Sequence, residues 1–383
     1  MNVLDVYWLK LETLSPMIIA SEIGKAGYVH LTLTDFIPGS MLKGAILSSA
    51  ILCGSISIDE ADKLAVSPDM AVGSALRTYD PDAPPLSRLL LTHTLCFRSK
   101  WGGEVLSLGA DELAKEPDYE KTLANLIERL TITRMKRDGW KVAPGEVKPI
   151  AGRPAVKEGA RWRLVGFKEP VKKSYYVQVA LDHVRGGSSP GALYAYEHVP
   201  PGATYSSLIA VLDISPLKEF FDKGEAELRI GRGISRGFGL VKAVFSAIGL
   251  PKGKRLEEGE RIALEALSPI FVEDPLPRPP RPRDLLTPDL DWYQKMLNLK
   301  PEGALRVRGV LGSTTTYRGW SVRTNLPKLP IKALKPGSIL ICEVEGEIGE
   351  EVSAALPILG INHHSSAGFN QLIPLKPDPF RGG

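Results

Sequence analysis

The stretch Arg229-Ile230-Gly231-Arg232-Gly233-Ile234-Ser235-Arg236-Gly237-Phe238-Gly239-Leu240-Val241 constrains this chain more than any other. Glycine admits positive φ and lets a backbone approach a ligand closely, and successive amides in such a turn form an anion-binding nest. Arginine adds planar, bidentate donors suited to phosphate. The following run, Leu240 to Phe245, alternates as a strand does, so the stretch reads as a phosphate-gripping loop leading into a strand. A dinucleotide fingerprint would need G-x-G-x-x-G ahead of a helix, and a P-loop would end in Gly-Lys-Ser/Thr. Neither pattern is present. A tight hairpin turn without a ligand is the competing reading.

A second anion-type signal lies in Phe36-Ile37-Pro38-Gly39-Ser40-Met41-Leu42-Lys43-Gly44. Pro-Gly turns the chain, Ser40 is placed to cap, and Met41 to Leu52 reads as a buried helix whose start carries Lys43. A third lies after an alternating strand predicted at Ser174 to Leu181. There a Gly-Ser-rich segment carries Arg185 and is followed by Tyr194 and Tyr196. Aromatics beside a basic loop suit stacking on unpaired bases, and packing of Tyr196 within a sheet is the equal alternative.

The rest bounds the class. Its 383 residues suffice for two domains, with 43% hydrophobic and 24% charged residues as in ordinary globular proteins. A net charge of +4 permits a nucleic-acid partner without requiring one. Cys53, Cys96 and Cys342 are too scattered for a disulfide frame or a zinc site. The start lacks a basic signal region and no apolar run reaches membrane length, so a cytoplasmic protein without membrane contact is expected. Glutamine occurs only at Gln178, Gln294 and Gln371 while proline is plentiful, a thermophile tendency.

Strands are expected over Val6–Ile19, Tyr28–Leu33, Thr204–Leu212, Ala304–Leu311 and Ser338–Val344, with helices at Glu112–Arg129 and Pro216–Asp222. Gly368-Phe369-Asn370-Gln371-Leu372-Ile373 echoes Gly237-Phe238-Gly239-Leu240-Val241, which points to two diverged copies of one unit. The expected division is an N-terminal unit at 1–250 with an insertion at about 59–160. A Pro/Arg-rich linker at 251–283 and a second unit at 284–383 follow.

With the Pro38–Gly44 helix start ahead of the Gly231–Gly239 loop, the chain resembles the RAMP superfamily of CRISPR-associated proteins. Its two-unit layout, with Leu193-Tyr194-Ala195-Tyr196-Glu197 and Tyr317-Arg318-Gly319-Trp320, most resembles the type III-D effector subunit that caps the 5′ tag of the guide RNA. The resemblance implies an α+β fold of two ferredoxin-like β-α-β-β-α-β units with antiparallel sheets and glycine-rich loops. It implies a non-catalytic subunit that holds the repeat-derived 5′ tag of crRNA and docks on backbone and large subunits, with target RNA met indirectly and no cofactor. RNA contact is then expected from Arg232, Ser235 and Arg236, with Gly231, Gly233, Gly237 and Gly239 permitting close approach. Ser40, Lys43, Arg185 and Tyr194 are the further candidates. In the second loop His363, His364 and Asn370 depart from the pattern, leaving an RNA, structural or protein-facing role open. Two alternatives stand beside this: a metal-independent endoribonuclease processing guide-RNA precursors with one of His30, His93, His183, His198, His363 or His364, and an enzyme binding a small phosphorylated ligand.

Overall fold

In the computed structural model the residues described are 4–78, 96–99, 105–107, 147–149, 155–158, 161–164 and 174–374. Breaks fall at 24–28, 34–35, 68, 183, 185, 213–214, 318–319, 322–325, 328 and 363–367. The helix expected at Glu112–Arg129 lies outside the described residues.

The first unit begins with β1 (Leu4–Thr13). Its period-two pattern buries Tyr7, Leu9 and Leu11 on one face, and it ends at Thr13, just before the Ser15-Pro16 break within the expected Val6–Ile19. After the short β2 (Phe36–Ile37), α1 runs over Gly39–Leu52 and packs Leu42, Ala45, Ile46 and Ala50 onto that face. The helix α2 (Ile58–Val66) is held by a capping box, Ser57 with Glu60. Then come β3 (Met70–Val72) and β4 (Ala75–Thr78). Residues 59–78 thus belong to the unit itself, and the insertion starts later than expected.

The hairpin of β5 (Ser174–Asp182) and β6 (Gly187–His198) is followed by β7 (Thr204–Leu212) and α3 (Lys218–Asp222). The unit closes with β8 (Glu225–Arg229) and β9 (Leu240–Ile248). The first sheet runs β8-β9-β1-β7-β4-β2, with β3 also on β7, and every pairing is antiparallel. Reduced to β1-α1-β3/β4-β7-α3-β9, this is the ferredoxin-like β-α-β-β-α-β path. A separate four-stranded sheet joins β5 and β6 to the short strands Val29–Thr32 and Ala20–Ile23.

The second unit repeats the path. Its strand β10 (Arg261–Ala266) is followed by β11 (Leu285–Leu286), α4 (Leu290–Leu297), β12 (Ala304–Leu311), β13 (Ile339–Glu345), α5 (Glu350–Leu359) and β14 (Leu372–Pro374). The sheet order is β11-β12-β13-β10-β14, again antiparallel throughout. The segment expected as a linker, 251–283, therefore contains β10, a central strand. Its residues Ile262, Leu264 and Ala266 bury against α4 and α5, and the Pro/Arg composition belongs only to the turns after it.

One apolar layer joins the units. Val6, Leu208, Ala210 and Leu212 on the back of the first sheet cluster with Trp292, Val352, Ala355 and Leu359 from α4 and α5. The order through the molecule is helices, sheet, helices, sheet. Outside the cluster, the Lys295–Asp69 ion pair at 2.6 Å ties α4 to the first unit.

Candidate nucleic-acid interface

The glycine-rich stretch forms the β8–β9 connection, and its conformation follows from its residues. Gly231, Gly233, Gly237 and Gly239 have φ of 93°, 80°, 85° and 76°. At two of them only glycine fits. A Cβ on Gly231 would lie 2.2 Å from the Ile18 carbonyl oxygen, and one on Gly239 2.0 Å from that of Ile230. The loop is pinned by its own backbone: the Arg232 amide donates to Ile18 O, the Gly239 amide to Pro16 O, and the Leu240 amide to Ser15 Oγ, each at 2.8 Å. The amides of Arg232, Arg236, Gly237, Phe238 and Gly239 are thus satisfied internally.

The side chains of the loop are held against the separate β5–β6 sheet. Tyr196, buried at 6% exposure, clusters with Ile18 and Phe238, and the guanidinium carbons of Arg232 and Arg236 stand 5.7 and 5.4 Å from its ring centroid. The Tyr196 packing alternative is therefore the observed one, and the arginines stack on it. Arg236 Nη1 also donates to Gln178 Oε1 at 2.8 Å. Tyr176 meets Phe238 edge-on at 5.7 Å yet is 50% exposed. Arg232, Ser235 and Arg236 are exposed, and neither arginine has an acidic partner among the described residues. Several guanidinium groups of the second unit, by contrast, are neutralised: Arg278 by Asp284 and Asp274, Arg306 by Glu345, Arg308 by Glu343. The loop thus holds positive charge with no acidic partner among the described residues, beside an exposed aromatic ring.

The other candidates fare differently. Helix α1 starts at Pro38 without a side-chain cap, and Ser40, although exposed, does not cap it. Lys43 is buried, its Nζ donating to the carbonyls of Met70 at 3.2 Å and Ser67 at 3.4 Å, and burial pulls its pKa down to about 8. It stabilises the turn after α2 and is removed from any solvent-facing anion site. Arg185 lies outside the described residues. Tyr194 is described only by its backbone, paired with Gln178 across the hairpin. His198 is buried with its pKa lowered by desolvation. Tyr176 and Gln178 were missed as site residues. Their signal was their spacing of two along one strand, which puts both on one face, but nothing local says that this face meets the glycine loop.

The second loop is equivalent in detail. Leu267-Ser268-Pro269 matches Leu14-Ser15-Pro16, and the bonds of the Gly239 and Leu240 amides recur together with that of Ile230 N to Gly239 O at 2.8 Å. Gln371 N donates to Ser268 Oγ at 2.8 Å, Asn370 N to Pro269 O at 3.0 Å, and Ile361 N to Asn370 O at 2.8 Å. Asn362 and Asn370, with φ of 58° and 59°, replace Gly231 and Gly239, since asparagine tolerates the left-handed region better than other side chains. This loop faces the first unit: Gly368 lies against Gly39 and its carbonyl accepts from Ser74 Oγ at 3.2 Å.

No family model matches the chain, and no curated protein matches it. Among solved structures, a chain of the type III-B Cmr-beta complex bound to cognate target RNA and AMPPnP aligns at 12% identity. It covers 87% of this chain and 86% of that one, with a TM-score of 0.46. Oligomeric Cmr4 from Pyrococcus furiosus aligns at 16% identity over 64% of this chain and all (100%) of that one, TM-score 0.29. The product of a Cas6-related gene from Pyrococcus furiosus aligns at 10% over 99% and 100%, TM-score 0.36. At TM-scores below 0.5 these likenesses carry neither family nor function, and the site stands on its own geometry. Among the described residues no group of histidine, cysteine or carboxylate side chains is arranged to hold a metal, and no helix is long and apolar enough to cross a membrane.

Proposed function

We propose that the β8–β9 loop and the β5–β6 sheet form a binding site for single-stranded RNA. Arg232 and Arg236 take phosphates, Ser235 takes a phosphate or 2′-OH, and Tyr176 stacks on a base. The observation that carries this is the pair of exposed arginines held over Tyr196 next to the half-exposed Tyr176. Cation–π stacking orients both guanidinium groups while leaving their N–H edges for oxygen acceptors.

Taken with the motif order that resembles the RAMP superfamily, the reading is a guide-RNA-binding subunit of a type III CRISPR effector complex. In that role it holds the repeat-derived 5′ tag of crRNA, docks on backbone and large subunits, and performs no cleavage. The test is to purify the protein from its native cells and sequence the bound RNA. Guide RNAs sharing one 5′ tag, lost on changing Arg232 and Arg236 together to Ala, are the expected result. Cleaved precursor accumulating with time would favour the endoribonuclease. Release of RNA by a small phosphate compound would favour a phosphorylated metabolite. Absence of any enriched RNA would overturn the reading.

A further inference from the structure

Side chains two apart along a strand share a face, so β5 turns Tyr176 and Gln178 to the same side. The hairpin register sets Tyr176 opposite Tyr196 on that side. Arg236 bridges the two strands there: its guanidinium carbon stands 5.4 Å from the Tyr196 ring centroid, and its Nη1 donates to Gln178 Oε1 at 2.8 Å. A guanidinium carries donors only, so the amide atom that meets it is the oxygen. The bond therefore fixes which way round the Gln178 amide lies. Arg232 stacks on the same ring and makes no bond to Gln178.

What the amide has left is Nε2, a donor with no partner among the described residues. Beside it on the same face is the half-exposed ring of Tyr176, which Phe238 meets edge-on at 5.7 Å. A base stacked on that ring is offered a donor by Gln178 and no acceptor. An exocyclic oxygen, as on uracil or guanine, accepts from Nε2. An exocyclic amino group, as on cytosine or adenine, sets donor against donor and leaves both unsatisfied.

We propose that Gln178 is a specificity residue of this site, selecting an oxo base, uracil or guanine, at the position stacked on Tyr176. Arg236 is then a positioning residue as well as a phosphate contact. By occupying the glutamine oxygen it makes an amide able to read either kind of base edge read only one, and its remaining N–H groups stay available to phosphate. The inference rests on the reading of the loop and the β5–β6 sheet as a single-stranded RNA site.

The test titrates the full chain into fluorescein-labelled oligouridine and oligocytidine of equal length. Both bases are pyrimidines with a π-face, so stacking on Tyr176 treats them nearly alike. The wild type should bind oligouridine roughly tenfold tighter, through one hydrogen bond gained against one donor left unpaired. Gln178→Met keeps the reach of the side chain without the amide and should make the two affinities equal, with an unchanged Tm showing that the variant is folded. Arg236→Ala should also make them equal while weakening both, because the released amide can present its oxygen as readily as its nitrogen. Arg232→Ala should weaken both by the same factor and keep the preference, which separates amide orientation from loss of charge. Equal affinities in the wild type, or a preference that survives Gln178→Met, overturn the inference and leave the single-strand site standing. A preference that survives Arg236→Ala overturns the positioning role. Binding of neither oligonucleotide overturns the site itself.

Discussion

Gly39 and Gly368 meet backbone to backbone across the two units: a Cβ on Gly39 would fall 2.6 Å from the Gly368 Cα, and one on Gly368 2.5 Å from the Gly39 Cα. The second-unit loop closes the start of α1 in this way, and the Ser74 hydroxyl, bonded to Gly368 O, reinforces the approach. Gly39→Ala or Gly368→Ala should lower stability by more than about 2 kcal/mol, since backbone atoms must separate. Gly44, exposed on the same helix with open space around it, is the control. Gly44→Ala should raise stability by about 1 kcal/mol. Thermal or urea unfolding of the three variants checks the pair.

Removing charge from the first loop should affect binding and leave folding alone. Arg232→Ala/Arg236→Ala should reduce the slope of log K against log salt by roughly 1.4, or about 0.7 for each phosphate of a single strand that is no longer neutralised. Tm should change little, because both side chains are exposed. Arg→Lys at the same positions should recover only part of the affinity, as an ammonium lacks the planar stacking on Tyr196. Anisotropy titrations over a series of salt concentrations read both effects.

Tyr176 and Tyr196 should separate stacking from support. Tyr176→Ala should weaken RNA binding by about 1–3 kcal/mol, while Tyr176→Phe keeps the ring and most of the affinity. Tyr196→Ala should cost stability as well as binding, because Tyr196 is buried beneath the two arginines. Parallel binding and unfolding curves distinguish the two residues.

The loop glycines should rank by what surrounds them. Gly239→Ala puts a Cβ 2.0 Å from Ile230 O and should disrupt the β8–β9 connection. Gly237→Ala, at φ 85° with open space, should lose only about 1–2 kcal/mol. If the two unfold alike, the close approach is not what fixes the loop.

Glu265 should give the protein a pH dependence. It is buried on β10, in register with Ile339 and Ile373, and burial pushes its pKa up to about 8. The fold binds this proton more tightly than the unfolded chain does. Its contribution is therefore complete below the ordinary carboxylate range and lost as pH rises toward about 8. Stability should fall across that window by up to about 1.4 kcal/mol per pH unit. Glu265→Gln should flatten the curve and raise Tm at neutral pH, measured by unfolding at a series of pH values.

Much of the fold is legible in the sequence because its signals are local. Alternation along β1, β5, β7 and β12, the apolar density of α1, and the glycines of the β8–β9 turn are each set by neighbouring residues. The Gly-Phe echo at Gly237 and Gly368 marks the repeat in its true register. The matching Leu-Ser-Pro segments are too short, and too unlike their surroundings, to stand out. Strand β10 is hidden by the prolines that follow it, since composition averaged over 251–283 conceals six strand residues, Arg261–Ala266.

The sequence by itself determined the antiparallel α+β character and the glycines that admit the loop's left-handed turns, because steric freedom and side-chain chemistry belong to single positions. Only the tertiary structure decided which side chains are available. It committed Lys43 to the carbonyls of Ser67 and Met70, set Gly368 against Gly39, placed Tyr196 beneath Arg232 and Arg236, and brought Gln178 to Arg236 and Tyr176 to Phe238. Availability depends on burial and on partners far apart in the chain, and those are fixed only once the sheets have packed.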